Sequence, residues 1–409
     1  MQVLVTAILC LFYALALVVD RLAGVLFGLL LLVGLVRVFE NGRSSIKAFC
    51  DCVGQHWALN LALAAPLLAA LIHLAANAYF DGKTIDFPLR LALFPLIFWA
   101  VKLIPADRMR YLQWAFVIGA IASAIKMYVL TAGGEVRYGT DFIPIGIFTE
   151  MLLVTAFFSA CTIAGEREGR ASIALKLLAL GAALYAAYIS GCRGPWLTIP
   201  VFIVIACIAS GVNVLRFKHA VVIAIIVAVC GVLAWQTGGI VKDRVTAAEQ
   251  DLREYSQGTK DTSLGIRLQV WKGALKMFNE HPLFGVGSRG FPDAMQDLAD
   301  RKIISPVAAT FAHSHNDFLF MMAKFGIFGL LAILAVYFVP AHVFYKHLFD
   351  TDTVVRSIAC MGMGLCTGFA FLGLTDVAFM WWEIPPFYTI GVASLLALIQ
   401  QRKAVSDIA

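Results

Sequence analysis

Two of the chain's eight histidines stand two residues apart in the run Phe311-Ala312-His313-Ser314-His315-Asn316-Asp317-Phe318, at the head of a long apolar segment. An imidazole at a helix N-terminus feels the positive end of the helix dipole, which favours its neutral form. A neutral imidazole can take the proton of a hydroxyl group. The plainer reading is a polar interfacial cap, with Ser314 or Asn316 closing the helix start. A second cluster is Ser190-Gly191-Cys192-Arg193-Gly194-Pro195-Trp196. Its glycines let a bulky anion approach Arg193; its plain counterpart is a tight turn with an interfacial Arg and Trp. Arg267, in Gly265-Ile266-Arg267-Leu268-Gln269-Val270-Trp271, and Arg289, which follows His281-Pro282-Leu283-Phe284-Gly285-Val286-Gly287-Ser288, add two more forks. A guanidinium grips two phosphate oxygens at once. Arg137 offers another in Gly134-Glu135-Val136-Arg137-Tyr138-Gly139.

Other reactive side chains carry less. Glu150 and Lys126 fall inside apolar segments, where an ionisable group is a functional candidate unless it snorkels to the interface. Of nine cysteines, Cys10, Cys161, Cys207, Cys230, Cys360 and Cys366 lie in apolar runs and read as small packing residues. Cys50 and Cys52 form a C-x-C pair, placed on a cytoplasmic loop, with no second Cys or His cluster to complete a zinc site. Cys192 reads as a packing residue beside Arg193. No metal site is expected.

The elements that must position these residues are membrane helices. The 409 residues are 61% hydrophobic and 14% charged, with mean hydropathy +0.84. Soluble domains carry about 45–50% apolar and about 25% charged residues. This composition excludes a disordered scaffold, a secreted disulfide framework and a basic nucleic-acid binder. Stretches of about 20 apolar residues fall at 3–19, 22–39, 57–77, 89–104, 111–130, 144–164, 172–190, 195–212, 219–236, 317–339, 354–375 and 379–399. Runs such as Leu29-Leu30-Leu31-Leu32-Val33 lack the alternation of barrel strands. An all-α membrane protein of about twelve spans is therefore expected. The first segment lacks a basic leader and reads as a retained span.

With both termini in the cytoplasm, fifteen Lys and Arg fall on the inner short connections and six on the outer ones, as the positive-inside rule requires. The connection 237–316 is then external. It holds ten basic and nine acidic residues and is the least apolar part of the chain. Arg267, Trp271, Ala274 and Phe278 recur there at helical spacing, His281-Pro282 stops that helix, and Gly285, Gly287 and Gly290 follow as a turn-rich return. The expected organisation is helices 1–9 over 1–236, a partly helical periplasmic loop over 237–316, and helices 10–12 with a short cytoplasmic tail over 317–409. No internal repeat links the halves.

Taken in order, Gly191-Cys192-Arg193-Gly194, Arg267 with Trp271, His281-Pro282-Leu283-Phe284-Gly285-Val286-Gly287, and His315-Asn316 with Phe325-Gly326 resemble the bacterial O-antigen ligases. These belong to a wider superfamily with O-antigen polymerases and protein-directed O-oligosaccharyltransferases. The resemblance covers residues 190–330; the first half agrees only in being hydrophobic.

The resemblance implies transfer of O-antigen from undecaprenyl pyrophosphate to a sugar hydroxyl of lipid A-core, on the periplasmic face of the bacterial inner membrane. It implies no cofactor, no metal and no nucleic-acid partner; the partners are the lipid-linked glycan, the lipid A-core acceptor and membrane lipids. His315, which precedes Asn316, is then the expected base, with His313 an alternative base or a phosphate donor. Arg193 and Arg267 are expected to hold the pyrophosphate, with Arg137 and Arg289 weaker candidates. An O-antigen polymerase would use the same donor and a second lipid-linked glycan. A protein-directed transferase is expected to carry a longer C-terminal extension. A polyprenyl-glycan flippase, the rival from another class, is expected to show repeats and midplane polar sites.

Overall fold

The computed structural model of the protein describes residues 1–77, 82–136, 140, 142–164, 169–210, 246, 249–251, 253, 254 and 260–406. In chain order its helices are α1 (Gln2–Leu15), α2 (Leu22–Phe39), α3 (Arg43–Gln55), α4 (Trp57–Ala76), α5 (Gly82–Ala92), α6 (Phe94–Val101), α7 (Met109–Leu130), α8 (Ile145–Cys161), α9 (Arg170–Ile189), α10 (Thr198–Ala209), α11 (Ser263–Glu280), α12 (Gly287–Asp300), α13 (Pro306–Ala309), α14 (Asp317–Tyr345), α15 (Thr353–Leu372) and α16 (Ile384–Ser406). The described residues hold nine helical stretches long and apolar enough to cross a membrane, so the protein is an all-helical, multi-pass membrane protein.

Of the twelve expected spans, nine correspond to these stretches. The one placed at 89–104 begins earlier, at Thr84, because α5 and α6 run on almost without interruption. The segments 3–19 and 195–212 form shorter apolar helices, Gln2–Leu15 and Pro195–Ala209. The first ends at Leu15, and the chain then turns into α2 at Arg21, whose φ is 60°. The segment 219–236 lies outside the described residues. Cys50 and Cys52 sit on α3, a helix where a loop was expected, the first exposed and the second buried.

The bundle is built around α8, α15 and α16, the most enclosed of the spans. Backbone groups in lipid must be satisfied within the segment, which leaves helices as the solution for runs this apolar. Phe148, Phe158, Phe369 and Tyr388 fill the centre, all fully buried. By contrast α2 and α9 turn much of their surface outward, as lipid-facing helices do.

The membrane helix α14 is broken at Phe325-Gly326, where the backbone leaves helical values. Gly326 takes φ +63°, and a Cβ there would stand 2.3 Å from the Leu283 carbonyl oxygen. The strap 282–286 fills the break. The Ile327 amide donates to Pro282 O and the Val286 amide to Ala323 O, both at 2.9 Å. Gly285, with φ +66°, lies against the Lys324 backbone so closely that a Cβ would meet it at 2.4 Å. His73 of α4 closes the joint, its Nδ1 2.7 Å from the Phe284 carbonyl. The two glycine motifs are thus halves of one packing joint.

That joint anchors a helical cap. Val270, Ala274 and Met277 of α11 and Phe291, Met295 and Leu298 of α12 form a small core with Ile304, Ala308 and, from the membrane helix, Phe320 and Ala323. The face of α11 that packs is therefore offset from the expected one: Ala274 is buried, whereas Arg267, Trp271 and Phe278 flank it half-exposed. The turn-rich return is in fact helical from Gly287 onward, and Gly290 lies inside α12.

Candidate active site

The cap sits on the end of α14 that carries the histidines. Asn316 is the N-cap of α14, its Oδ1 accepting from the Leu319 amide at 3.0 Å. Its Nδ2 donates to Leu374 O at 3.1 Å. The next residue, Asp317, is buried and ties the same two segments: Tyr337 Oη donates to its Oδ2 at 2.6 Å and the Ala378 amide at 3.1 Å. The Asp317 amide donates to Gly373 O at 2.7 Å. The start of α14 is thereby fastened to the link between α15 and α16.

Asp376 lies on that link. Its Oδ1 stands 3.5 Å from His315 Nδ1, with both side chains about four-fifths buried. This is slightly longer than a full hydrogen bond, so the carboxylate stands beside a buried ring nitrogen that has no other partner among the described residues. Burial works to raise the Asp376 pKa, but the His315 ring, the Val377 amide and the charge of the two imidazoles outweigh it, so the carboxyl sits below its ordinary value. Asp376 is an ionised partner that sequence reasoning did not single out. The available signal was an acid in the short connection between two spans, on the side assigned to the histidines.

His315 has φ 49°, in the left-handed region that non-glycine residues seldom enter. Its amide donates to His313 Nδ1 at 3.3 Å, and Ser314 Oγ donates to Asn316 O at 2.7 Å. Strain of this kind persists where the surroundings fix it, often at functional sites. The two imidazole centroids are 4.3 Å apart. Burial, and then the charge of His315, push the His313 pKa down to about 4, against an opposing pull from Asp376. The lowering expected from the helix dipole is thus traced to desolvation.

A cavity of about 360 Å³ gathers Arg193, Arg267, His315 and Asp376, with Cys192 and Thr375 in its wall. Arg193 comes from the turn after α9 and Arg267 from the first turns of α11. The turn is set by close contact: a Cβ on Gly194 would stand 2.6 Å from Thr375 Oγ1, next to Asp376. Beneath it, Thr198 Oγ1 donates to Glu150 Oε2 at 3.1 Å. Glu150 thus braces the turn from inside the membrane. Lys126 instead reaches the end of α1, its Nζ donating to Val18 O at 2.7 Å.

The other candidates stand elsewhere. His313 adjoins His315 without lining the cavity, and Arg289 is exposed on α12 outside the wall. Arg137 lies outside the described residues. His313, His315 and Asp376 bring potential ligand atoms within 4.8 Å of one another, and they are the group among the described residues with the donors to hold a cation. Two arginines facing a base–carboxylate pair can also bind a pyrophosphate and deprotonate a hydroxyl.

Comparison with known proteins bears on the same segment. Residues 178–334, which carry Arg193, Arg267 and His315, match the family model described as O-antigen ligase. The chain carries an O-antigen ligase family domain. This family covers O-antigen ligases and related transferases of lipid-linked glycans. An uncharacterised protein of Haemophilus influenzae is 26% identical over 297 residues, covering 69% of this chain and 72% of that protein. The O-antigen ligase of Escherichia coli K12 is 25% identical over 231 residues, 56% of this chain, and the chain spans about half its length, 52%. The family domain includes α10 to α13 and the first turns of α14, ending past the break at Gly326. Asp376 lies beyond it.

Proposed function

We propose that the protein is a periplasm-facing glycosyltransferase of the bacterial inner membrane, moving O-antigen from undecaprenyl pyrophosphate to a sugar hydroxyl of lipid A-core. The observation that carries this reading is the convergence of Arg193, Arg267, His315 and Asp376 on one cavity.

In the reaction, His315 accepts the proton of the acceptor hydroxyl. Its Nδ1 faces Asp376, so Nε2 is the basic nitrogen. The acceptor oxygen bonds to the anomeric carbon of the donor glycan while the bond from that carbon to the phosphate oxygen breaks. The electron pair leaves on undecaprenyl pyrophosphate, whose growing charge Arg193 and Arg267 hold. Asp376 is a positioning residue: it steadies the imidazolium formed when the proton arrives.

The test supplies purified protein with lipid-linked O-antigen and rough lipopolysaccharide and looks for a lipopolysaccharide ladder on a gel. A ladder that His315→Ala abolishes supports the reading. A wild-type rate in His315→Ala with a dead His313→Ala would assign the base to His313. Longer lipid-linked chains formed without rough lipopolysaccharide would mark a polymerase, and glycan crossing liposomes without new glycosidic bonds a flippase.

A further inference from the structure

A second cavity, of about 860 Å³, opens beside the first. Volumes of this order suit a small molecule or part of a larger one. Its lining carries Asp20, Arg21, Asp86 and Arg90, with Glu383 buried in the wall, and is otherwise apolar, with Val25, Leu31 and Leu93 from α2 and the α5–α6 junction. Two short links join it to the candidate active site. One runs from Asp376, in the first cavity, to Trp381, Trp382 and Glu383 in the second; the other runs from Pro144 and Gly146 back to Phe142.

Two polar atoms on its wall are buried and have no hydrogen-bond partner among the described residues: Nε1 of Trp381 and Oε2 of Glu383. The Glu383 residue is only 3% exposed. A buried donor or acceptor left open is costly, and such exceptions call for an explanation. One is a donor and the other an acceptor. A hydroxyl group satisfies both kinds, giving its proton to the carboxylate and its lone pair to the indole N–H. The lipid-linked pyrophosphate, a diester, has no proton to give at neutral pH and would meet three carboxylates in this lining. The arginines are already engaged. Arg90 Nη1 donates to Trp382 O at 3.1 Å and its Nη2 to Asp86 at 3.2 Å, while Arg21 pairs with Asp20 at 3.6 Å. Arg90 also lies 5.3 Å from the Trp382 ring centroid, which holds that exposed indole in place.

We infer that this cavity seats the saccharide of the acceptor glycolipid, with sugar hydroxyls on Trp381 Nε1 and the Glu383 carboxylate and an acyl chain against the wall of α2. Trp382 offers a flat face to a sugar ring at the mouth. The inference rests on the proposed function, because a transfer between two lipid-linked glycans needs a second seat besides the arginine pair. The 376–383 link then joins the acceptor's hold to the carboxylate behind His315.

The experiment uses the full chain in lipid nanodiscs, with Trp381→Phe and Glu383→Gln as shape-conserving variants. Transfer is measured against rough lipopolysaccharide at saturating lipid-linked O-antigen, and the reverse. Binding of rough lipopolysaccharide without donor is followed in parallel, with lipid A lacking core sugars and phosphatidylglycerol vesicles as controls. Each variant is expected to raise the acceptor KM roughly five- to tenfold, Trp381→Phe by losing one buried hydrogen bond and Glu383→Gln by losing the charge that strengthens the other. The donor KM should stay unchanged, binding should weaken by the same factor, and the control lipids should bind weakly to every form. An unchanged acceptor KM, a raised donor KM, or controls that bind as tightly as rough lipopolysaccharide would overturn the inference. If the wild type transfers nothing, the proposed function fails by itself. The cavity's role is then decided by binding: rough lipopolysaccharide held by the wild type and weakened in both variants supports it, and no binding overturns it.

Discussion

The imidazole of His315 and the carboxylate of Asp376 face each other across 3.5 Å, although α14 and α15 both intervene in the sequence. What holds them there is a set of buried hydrogen bonds in which neither takes part. Asn316 and Asp317 fasten one segment to Gly373, Leu374 and Ala378 of the other. In the proposed mechanism, a base held by its neighbours' bonds is free to move a proton without unfastening the fold.

Removing either member separates their roles. His315→Ala should abolish transfer, and Asp376→Asn should lower kcat by about 10²-fold or more, within the range for general-base catalysis. Melting temperatures in detergent should barely change. An Asp376→Asn rate equal to wild type would remove the carboxylate from the mechanism.

The arginines should show a dependence on shape as well as charge. Arg193→Ala and Arg267→Ala should each cost about 10²–10³-fold in kcat, the loss typical of one donor to developing charge. The lysine variants should fall between, since an ammonium keeps the charge and loses the fork. Full activity in the Arg193→Ala, Arg267→Ala double variant would end the pyrophosphate assignment.

Acid should loosen the site through His313. In the folded protein this ring stays neutral down to about pH 4, whereas in the unfolded chain it titrates near 6.5. Between these values the unfolded chain binds more protons, so stability rises with pH. The contribution is complete above about pH 6.5 and is lost as pH falls toward 4. Thermal melts in detergent across this window should show a slope that His313→Gln flattens.

Chelation distinguishes proton transfer from a metal centre at His313, His315 and Asp376. Transfer by protein dialysed against EDTA should proceed at the untreated rate. A loss restored by a divalent cation, and weakened cation binding in His313→Ala and Asp376→Asn, would make those three residues its ligands.

The joint at α14 should be sensitive to one methyl group. Gly326→Ala forces a Cβ toward the Leu283 carbonyl at a φ of +63°, costing about 1–3 kcal/mol for the backbone alone. The variant should melt earlier and lose transfer together with the docking of the cap. An unchanged melting temperature would show that the strap yields.

Much of this protein was legible in its residues. Apolar runs about as long as a bilayer is thick favour membrane helices, because lipid offers no partner to an open amide, and nine of the twelve runs form helices of that length. The surplus of Lys and Arg on alternate connections points to an orientation with both termini inside, which the packing of the helices does not itself test. The two glycine motifs and the histidine pair stood out because little else in so apolar a chain is polar or conformationally special. Local signals misled where packing decided: α11 buries a face offset from the expected one, and the return after Gly285 is a helix because Phe291, Met295 and Leu298 have a core to enter.

The sequence by itself determined the class of fold, the arginines and the histidine pair, since hydropathy and side-chain chemistry are local properties. Only the tertiary structure decided which of these meet. It set Arg193 and Arg267 around His315, left Arg289 outside the cavity, and supplied Asp376 from beyond the family domain. It also left Trp381 and Glu383, two residues lining a second cavity, each with a buried polar atom that has no partner among the described residues. Convergence depends on how helices pack and on which buried polar atoms find partners, and neither is written in any one stretch of chain.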